Sequence, residues 1–452
     1  MLEFSRIHFI GIGGVSMSAL AMLTSESGVW VSGSDRVDSE TLRRLKSYGI
    51  NAYVGSNNSV VSGCDLVVYT AAIGADDTEL KFARSNKIRC MERKAYLAYV
   101  SKTCKSVIAI AGSHGKTTVT AMLCHIFNQM ALPFKGHVGG KVKSIGANYV
   151  NDGDDYFITE ACEYGKSFLS LSPDMGVILN CDYDHPDTYP TQEDMYAAFV
   201  SFAEQSKAVI VGEEAFDTLQ LDAHVDADKI YTFGFGERAY FRAVDLKNSN
   251  GKFSFDVLCD DNFIGRFSLD IYGRHNVLNA LAAIAICHLN WLDMQEISEY
   301  VANFDGVDRR FCDCGNTKKG AKVIVDYAHH PKEIVATIDA LRLMSAGKIV
   351  AVFEPHTYSR TKALLEEFAE SFYWADEVII LPTYGARESK DMGVGGAELA
   401  DYINRHGEGA LYLDSYDSVQ NYIENNCTYR DTVIVLGAGT VDKLGQMLTC
   451  KK

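Results

Sequence analysis

Twelve cysteines are present, yet no two form a CxxC pair. That absence argues against a zinc ribbon or a thioredoxin-like redox site. Apart from Cys312 and Cys314 the thiols are scattered singly in apolar surroundings, which fits a reducing compartment better than a disulfide framework. No block of five or six like charges occurs, and 43 Lys+Arg against 59 Asp+Glu leave a formal charge of −16. Such a chain repels phosphate backbones and anionic lipid, so neither nucleic-acid binding nor membrane adhesion is expected. The longest nearly apolar stretch, Ala280–Leu289, is far short of the ~20 residues of a spanning helix. The opening MLEFSRIHFIGIGG lacks the basic region and cleavage site of a secretory signal, so a cytoplasmic protein is expected. Low-complexity segments and short internal repeats are also missing.

What is present is an ordinary globular balance, 47% hydrophobic and 23% charged over 452 residues. At roughly 100–200 residues per domain there is room for two to four domains. Short β-branched runs recur, each followed by a turn and a segment of helical period: Ile7–Ile10, Val29–Ser32, Leu66–Tyr69, Val107–Ala111, Tyr156–Thr159, Val177–Leu179, Ala208–Val211, Val323–Val325, Ile349–Phe353, Val378–Leu381 and Val433–Leu436. Near-continuous apolar strands alternating with helices predict an α/β protein with parallel sheets covered on both faces. The strands fall into three clusters, about 1–103, 104–305 and 310–452, and the polar segment Phe304–Arg310 reads as a hinge. Residues 231–272 alternate around Asn248-Ser249-Asn250-Gly251, which predicts an antiparallel extension of the central domain.

In open α/β sheets, ligands bind beyond the carboxyl ends of the strands. The strongest signal there is VIAIAGSHGKTTVT: an apolar strand, then Gly112-Ser113-His114-Gly115-Lys116-Thr117-Thr118, then one apolar helix face at Val119, Met122, Leu123, Ile126, Phe127 and Met130. Loop N–H groups and a helix N-terminus cradle phosphates, a lysine adds a point charge, and the Thr117 hydroxyl suits Mg²⁺. The standard loop has glycine where Ile110 stands, so this one is a shortened variant. In the first cluster Gly11, Gly13 and Gly14 followed by Asp35 approximate a dinucleotide fingerprint, but Ser16 replaces its last glycine. A nucleotide diphosphate other than NAD is the expectation there. Glu160 offers a hard oxygen ligand for Mg²⁺, and His185 is a candidate for a second metal or a phosphate. Asn276 and Asn279, spaced i, i+3 on a helix start, suit a flat heterocycle. Asp326-Tyr327-Ala328-His329-His330 and Glu354-Pro355-His356-Thr357-Tyr358-Ser359-Arg360 follow two strands and suit a small carboxylate-bearing ligand.

Together and in this order, HFIGIGGVSMS, AGSHGKTT, TEACEYGKSFL, NCDYDHPDTY, GRHNVLNA, GVDRRF, VDYAHHPKE, FEPHTYSRT and LGAGTVDK resemble the Mur ligase family over essentially the whole chain. The resemblance is closest to the branch that adds the first amino acid in peptidoglycan precursor synthesis. It implies three domains: a Rossmann-like domain for a UDP-sugar (1–103), a P-loop ATPase domain (104–309) and a second Rossmann-like domain (310–452). It implies ATP and Mg²⁺ as cofactors, UDP-N-acetylmuramate and L-alanine as substrates, and an acyl-phosphate intermediate. On this basis Gly11, Gly13, Gly14, Asp35, Thr70 and Ala71 meet the UDP portion. Gly112 to Thr118 with Lys116 hold the ATP phosphates, Thr117 and Glu160 hold Mg²⁺, and His185 belongs to a second metal or the acyl phosphate. Asn276 and Asn279 face adenine, Arg310 and Asp326 the ATP phosphates and ribose, and Tyr327, His329 and Arg360 the amino acid. Closure of the last domain about 304–310 is expected to exclude water. Glu163 and Thr357 depart from the family runs and receive no role from them. The competing readings are a sister ligase with another acceptor, an NAD-dependent oxidoreductase that leaves Lys116 and Glu160 idle, and a nucleotide-regulated binding protein.

Overall fold

A computed structural model describes residues 3–386, 388–390, 393–406 and 409–449. The chain divides into two compact units. One runs to Asp182 and adds Met195–Phe241 and Ala282–Tyr300; the other holds Tyr183–Asp194, Arg242–Leu281 and the chain from Val301 on. The architecture is α/β with three sheets, as the strand pattern predicts.

In the first unit, β1 (Arg6–Ile10), β2 (Trp30–Asp35), β3 (Asn51–Val54), β4 (Leu66–Tyr69) and β5 (Arg89–Glu92) form an all-parallel sheet of order β3-β2-β1-β4-β5. The order reverses between β1 and β4, so the loops after those strands, Gly11–Gly14 and Thr70–Ala71, flank a topological switch point. The same unit carries β6 (Ser106–Ala111), β7 (Phe134–Val142), β8 (Ala147–Asn151), β9 (Tyr156–Glu160), β10 (Met175–Ile178), β11 (Ala208–Gly212) and β12 (Ile230–Gly234), ordered β12-β11-β10-β6-β9-β7-β8. Strand β6 is parallel to β9 and β10, which puts the ends at Gly112, Glu160 and Leu179 side by side.

The helix Lys116–Gln129 departs from the one-faced expectation. Every residue from Val119 to Phe127 is buried. The reason is the β7–β8 arm, which the apolar pattern did not reveal. Its sequence FKGHVGGKV holds no apolar run, but the glycines permit close packing: a Cβ on Gly136 would lie 2.8 Å from the Cys124 sulfur.

In the second unit β13 (Phe241–Ser249), β14 (Lys252–Cys259) and β15 (Asn262–Tyr272) form the expected antiparallel extension. The turn Asn250-Gly251 has φ of 52° and 82°, the type I′ signature that matches strand twist, and Gly251 N donates to Asn248 Oδ1 at 2.8 Å. The third sheet, β16 (Cys312–Asn316), β17 (Lys322–Asp326), β18 (Ile349–Phe353), β19 (Glu377–Ile380), β20 (Ala410–Tyr412) and β21 (Thr432–Leu436), has order β16-β17-β21-β18-β19-β20 and is parallel apart from β16. Its two faces explain the unbroken apolar runs. Ile324, Ala351, Phe353, Ile380, Ile434 and Leu436 join one buried cluster, while their strand neighbours Val323, Val325, Val350, Val352, Ile379 and Val433 join another. With both sides packed, neither periodic set can be polar.

Candidate active site

Strand β1 ends in a loop whose backbone is held from β2. Gly11 N and Ile12 N donate to Ser34 O at 2.8 and 3.0 Å, and Gly13 N donates to Asp35 Oδ2 at 2.8 Å. Gly11 has φ of 82°, and a Cβ on Gly13 would lie 2.7 Å from Asp35 Oδ2, so glycine is required at both. Gly14 caps the helix Val15–Glu26 with no side-chain bond, which leaves its first N–H groups for an anion. Thr70 borders Gly11 and its Oγ1 accepts from Ala72 N at 2.8 Å. The six residues expected at a diphosphate are thus brought to one switch point, although the Asp35 carboxylate already secures the loop.

Of the phosphate-loop residues, Gly112 to Gly115 link β6 to the helix Lys116–Gln129, and Lys116, Thr117 and Thr118 form its first turn. Gly115 is its N-cap, left-handed at φ 83°, again without a side-chain cap. Two residues after β10 clamp the loop. Asn180 Oδ1 accepts from His114 N at 2.8 Å while its Nδ2 donates to His114 O at 3.1 Å, and Ser113 Oγ donates to Asp182 O at 2.6 Å. Lys116 Nζ donates to Gly112 O, to Ser113 O at 3.1 Å, and pairs with Glu163 at 2.9 Å. Burial alone would lower the Lys116 pKa, but Glu163, with smaller help from Cys162 and Glu160, raises the value above normal, so the ammonium is charged. Glu163, which the family runs left without a role, is therefore the counter-ion of the loop lysine.

Glu160 ends β9, and its Oε1 accepts from Gly139 N at 2.5 Å. Neither Glu160 Oε2 nor the Thr117 hydroxyl makes a hydrogen bond among the described residues. No group of three or more His, Cys, Asp or Glu arranged for a metal occurs among them either. A carboxylate oxygen and a hydroxyl are ligands of the kind that Mg²⁺, which keeps waters, takes from a protein.

In the second unit, His185 does not stand alone. Its neighbour Asp184 is buried and takes Arg360 in a bidentate pair, Nε–Oδ1 2.8 Å and Nη2–Oδ2 3.2 Å. Burial opposes ionisation of Asp184, but Arg360, His185 and His330 hold its carboxyl well below the usual range. Arg360 Nη1 also meets His356 Nδ1 at 3.1 Å. His329 Nδ1 donates to Tyr327 O at 3.0 Å and lies 3.2 Å from Glu333. His330, Pro331 and Glu333 form a capping box on the helix Pro331–Arg342, a signal present in HHPKE that reading those histidines as ligands passed over. Tyr327 lies under Arg309 and Arg310, each 4.9 Å from its ring. Asp326 accepts from Phe311 N at 2.6 Å and Ala328 N at 2.7 Å, and burial pushes its pKa up to about 6. Asn276 Nδ2 donates to Tyr272 O at 2.7 Å and Asn279 Nδ2 to Asn276 Oδ1 at 2.9 Å, so the two amides share a face as the spacing predicts, bonded to each other. Glu354 is a brace, taking Tyr416 OH at 2.7 Å and Thr440 N at 3.0 Å. Thr357 carries φ 69° and ψ 139°, a conformation that costs on the order of 1–3 kcal/mol in a non-glycine residue.

Burial lowers the pKa of His329 to about 3 and of His356 to about 4, both below the 6.5 of an ordinary histidine. A depressed folded-state value contributes stability above pH 6.5 that is lost as pH falls towards 4. The melting temperature is accordingly expected to drop across that window, and His356→Asn to flatten the drop. An unchanged slope in thermal scans at stepped pH would contradict the buried neutral imidazole.

Three family models match: "Mur ligase family, catalytic domain" over residues 6–103, "Mur ligase middle domain" over 110–287, and "Mur ligase, glutamate ligase domain" over 309–439. The chain is 40% identical to UDP-N-acetylmuramate--L-alanine ligase of Caldanaerobacter subterraneus subsp. tengcongensis, covering 98% of this chain and 97% of the relative. It is also 40% identical to the ligase of the same name from Clostridium acetobutylicum, covering 99% and 98%. The solved UDP-N-acetylmuramate-alanine ligase of Thermotoga maritima superposes with a TM-score of 0.83 at 27% identity, covering 98% of each chain.

Proposed function

Since the chain belongs to the Mur ligase family, we propose that it ligates L-alanine to the muramoyl carboxylate of UDP-N-acetylmuramate with cleavage of ATP. The observation that carries the reading is Lys116, held charged by Glu163 in a glycine loop that runs from a buried strand into an uncapped helix. In this reading 1–103 takes the UDP-sugar, 104–309 takes ATP, and 310–452 takes the amino acid.

A carboxylate is a poor acyl donor because oxide will not leave. Transfer of the γ-phosphoryl group to a carboxylate oxygen supplies a leaving group. Alanine's amine then attacks the carbonyl carbon, and the tetrahedral adduct collapses to amide and phosphate. Lys116 and the N–H groups of Gly112 to Thr118 stabilise charge on the transferred phosphoryl by position and electrostatics. The Thr117 hydroxyl and the second Glu160 oxygen are the groups that would hold Mg²⁺, which when bound neutralises phosphate charge. Tyr327, His329 and Arg360 take the amino acid, with the carboxylate meeting the N–H groups of Arg360 that Asp184 leaves over. With its low pKa, His329 serves as a hydrogen-bond acceptor rather than a proton carrier. His185 lies next to Asp184, and we assign it to the acyl phosphate rather than to Mg²⁺, a cation that prefers oxygen.

Phosphate release from ATP, with UDP-N-acetylmuramate and L-alanine each omitted in turn, tests the reading. Release that needs both, with a product one alanyl unit heavier, is the expected result. Release with no need for alanine would point to a sister acceptor or to an acyl phosphate that leaks to water. A finer test is Gly139→Ala, whose Cβ would come 2.6 and 2.7 Å from the Glu160 oxygens. The variant is expected to need several-fold more Mg²⁺ for half-maximal rate, and an unchanged Mg²⁺ dependence would remove Glu160 from the metal.

A further inference from the structure

Ser16 stands where a dinucleotide fingerprint has its third glycine, and the structure gives it a specific task. Its hydroxyl lies 2.9 Å from His137 Nε2 and accepts from Arg93 Nη1 at 3.1 Å. His137 is buried in β7, and its other nitrogen, Nδ1, lies 3.0 Å from Thr159 Oγ1 on β9. Thr159 Oγ1 in turn donates to Glu160 O at 3.1 Å. His137 and Thr159 are register partners across β7 and β9. Two residues further along β7, Gly139 N donates to the Glu160 carboxylate.

The carbonyl end, with a neutral imidazole, sets the direction of the protons in this chain. A guanidinium can only donate, and a carbonyl can only accept. Ser16 therefore receives from Arg93 and gives its own proton to His137 Nε2. His137 carries its proton on Nδ1 and gives it to Thr159, which donates to Glu160 O. A protonated imidazole would have no acceptor for Ser16, and burial with the nearby Arg93 charge holds the His137 pKa down to about 4. Reversing the imidazole would take the Thr159 proton away from Glu160 O and turn His137 Nε2 from acceptor to donor, so the three side chains are set together.

We infer that Ser16, His137 and Thr159 are positioning residues that couple the first glycine loop, where the sugar nucleotide binds, to the strand end that sets the Glu160 carboxylate. This rests on the proposed function. The relay touches no reacting atom; it works through the helix Val15–Glu26 at one end and through Glu160 at the other. Its consequence is reciprocal: nucleotide with Mg²⁺ changes affinity for the sugar nucleotide, and the sugar nucleotide changes affinity for Mg²⁺ and nucleotide by the same factor.

The test is calorimetric titration of the whole protein with UDP-N-acetylmuramate, with and without saturating Mg²⁺ and a non-hydrolysable ATP analogue. In the native protein the two affinities are expected to differ by about tenfold, within the ordinary range of site coupling. Thr159→Val keeps the shape but removes the hydroxyl and is expected to bring the ratio to within about twofold of one. Ser16→Ala should do the same, and Thr159→Ser, which restores the hydroxyl, should return most of it. A purely structural role would lower melting temperature or both affinities and leave the ratio alone. Equal affinities in the native protein, or a native ratio in both Thr159→Val and Ser16→Ala, would overturn the relay while leaving the ligase reading intact. Failure of the native protein to bind UDP-N-acetylmuramate under either condition would instead overturn the ligase reading and the relay with it.

Discussion

With Lys116 replaced by alanine, phosphate release falls by at least about 10²–10³-fold, the typical loss when one preorganised charge at a transition state is removed. Binding of UDP-N-acetylmuramate stays within about twofold of native, because the first glycine loop is built from β1 and β2 and makes no use of the lysine. A second effect follows from the structure. Glu163 is 2% exposed and its charge is compensated by Lys116. Without the ammonium, its buried carboxylate loses the cation paired with it, which costs up to about 3–5 kcal/mol. The double variant Lys116→Ala with Glu163→Gln is therefore expected to melt well above Lys116→Ala while remaining inactive. Activity assays and thermal scans on the same three proteins separate the two effects. If Lys116→Ala kept most of its turnover, the phosphate-cradle assignment would be wrong. If Glu163→Gln brought no recovery of melting temperature, the pair would carry no stability.

Arg360→Ala has a comparable effect on stability, and it reverses the direction in which stability depends on pH. Asp184 and Arg360 have side chains 4% and 5% exposed. Removing the guanidinium strands a buried carboxylate, a loss of about 3–5 kcal/mol at neutral pH. In the native protein the Asp184 pKa is depressed below its ordinary 3.8. Its contribution is thus present above that value and is lost only as pH falls below it. In the variant, burial, the largest single influence on Asp184, is opposed only by the weaker effects of His185 and His330, and burial raises a carboxyl pKa. A raised value makes stability greatest at low pH and loses it as pH rises, so Arg360→Ala is expected to melt higher at pH 5 than at pH 8. The native protein is expected to show no such gain on acidification. Converting both members to apolar residues, Arg360→Met with Asp184→Leu, is expected to recover most of the stability, since a buried ion pair competes poorly with good packing. Amide formation stays absent in both, which a product assay with L-alanine checks. A variant whose melting temperature falls on acidification as steeply as the native protein's would show that Asp184 has another cation.

Burial separates what was legible from what was not. The eleven apolar runs read in the sequence all fall on strands, because a parallel strand packed on both faces leaves no room for polar residues. Glycine loops after β1 and β6 were equally legible, since a left-handed φ at Gly11 and Gly115 restricts the choice of residue. The polar arm FKGHVGGKV was not, because Lys135, His137 and three glycines carry no apolar period. Its strand exists because β8 and β9 supply partners from elsewhere in the chain. The short edges Asn51–Val54, Arg89–Glu92 and Ala410–Tyr412 were missed for the same reason.

By itself, then, the sequence determined the α/β class, eleven of the strands, the phosphate loop with Lys116 and Thr117, and the family. Those are local properties: periodicity, turn chemistry and a contiguous motif. The tertiary structure alone decided which charges meet. It paired Lys116 with Glu163, Arg360 with Asp184 and Ser16 with His137, residues separated by 47, 176 and 121 positions. Electrostatic and hydrogen-bonding energies depend on distance and burial, and neither is written along the chain until strands from different places lie side by side.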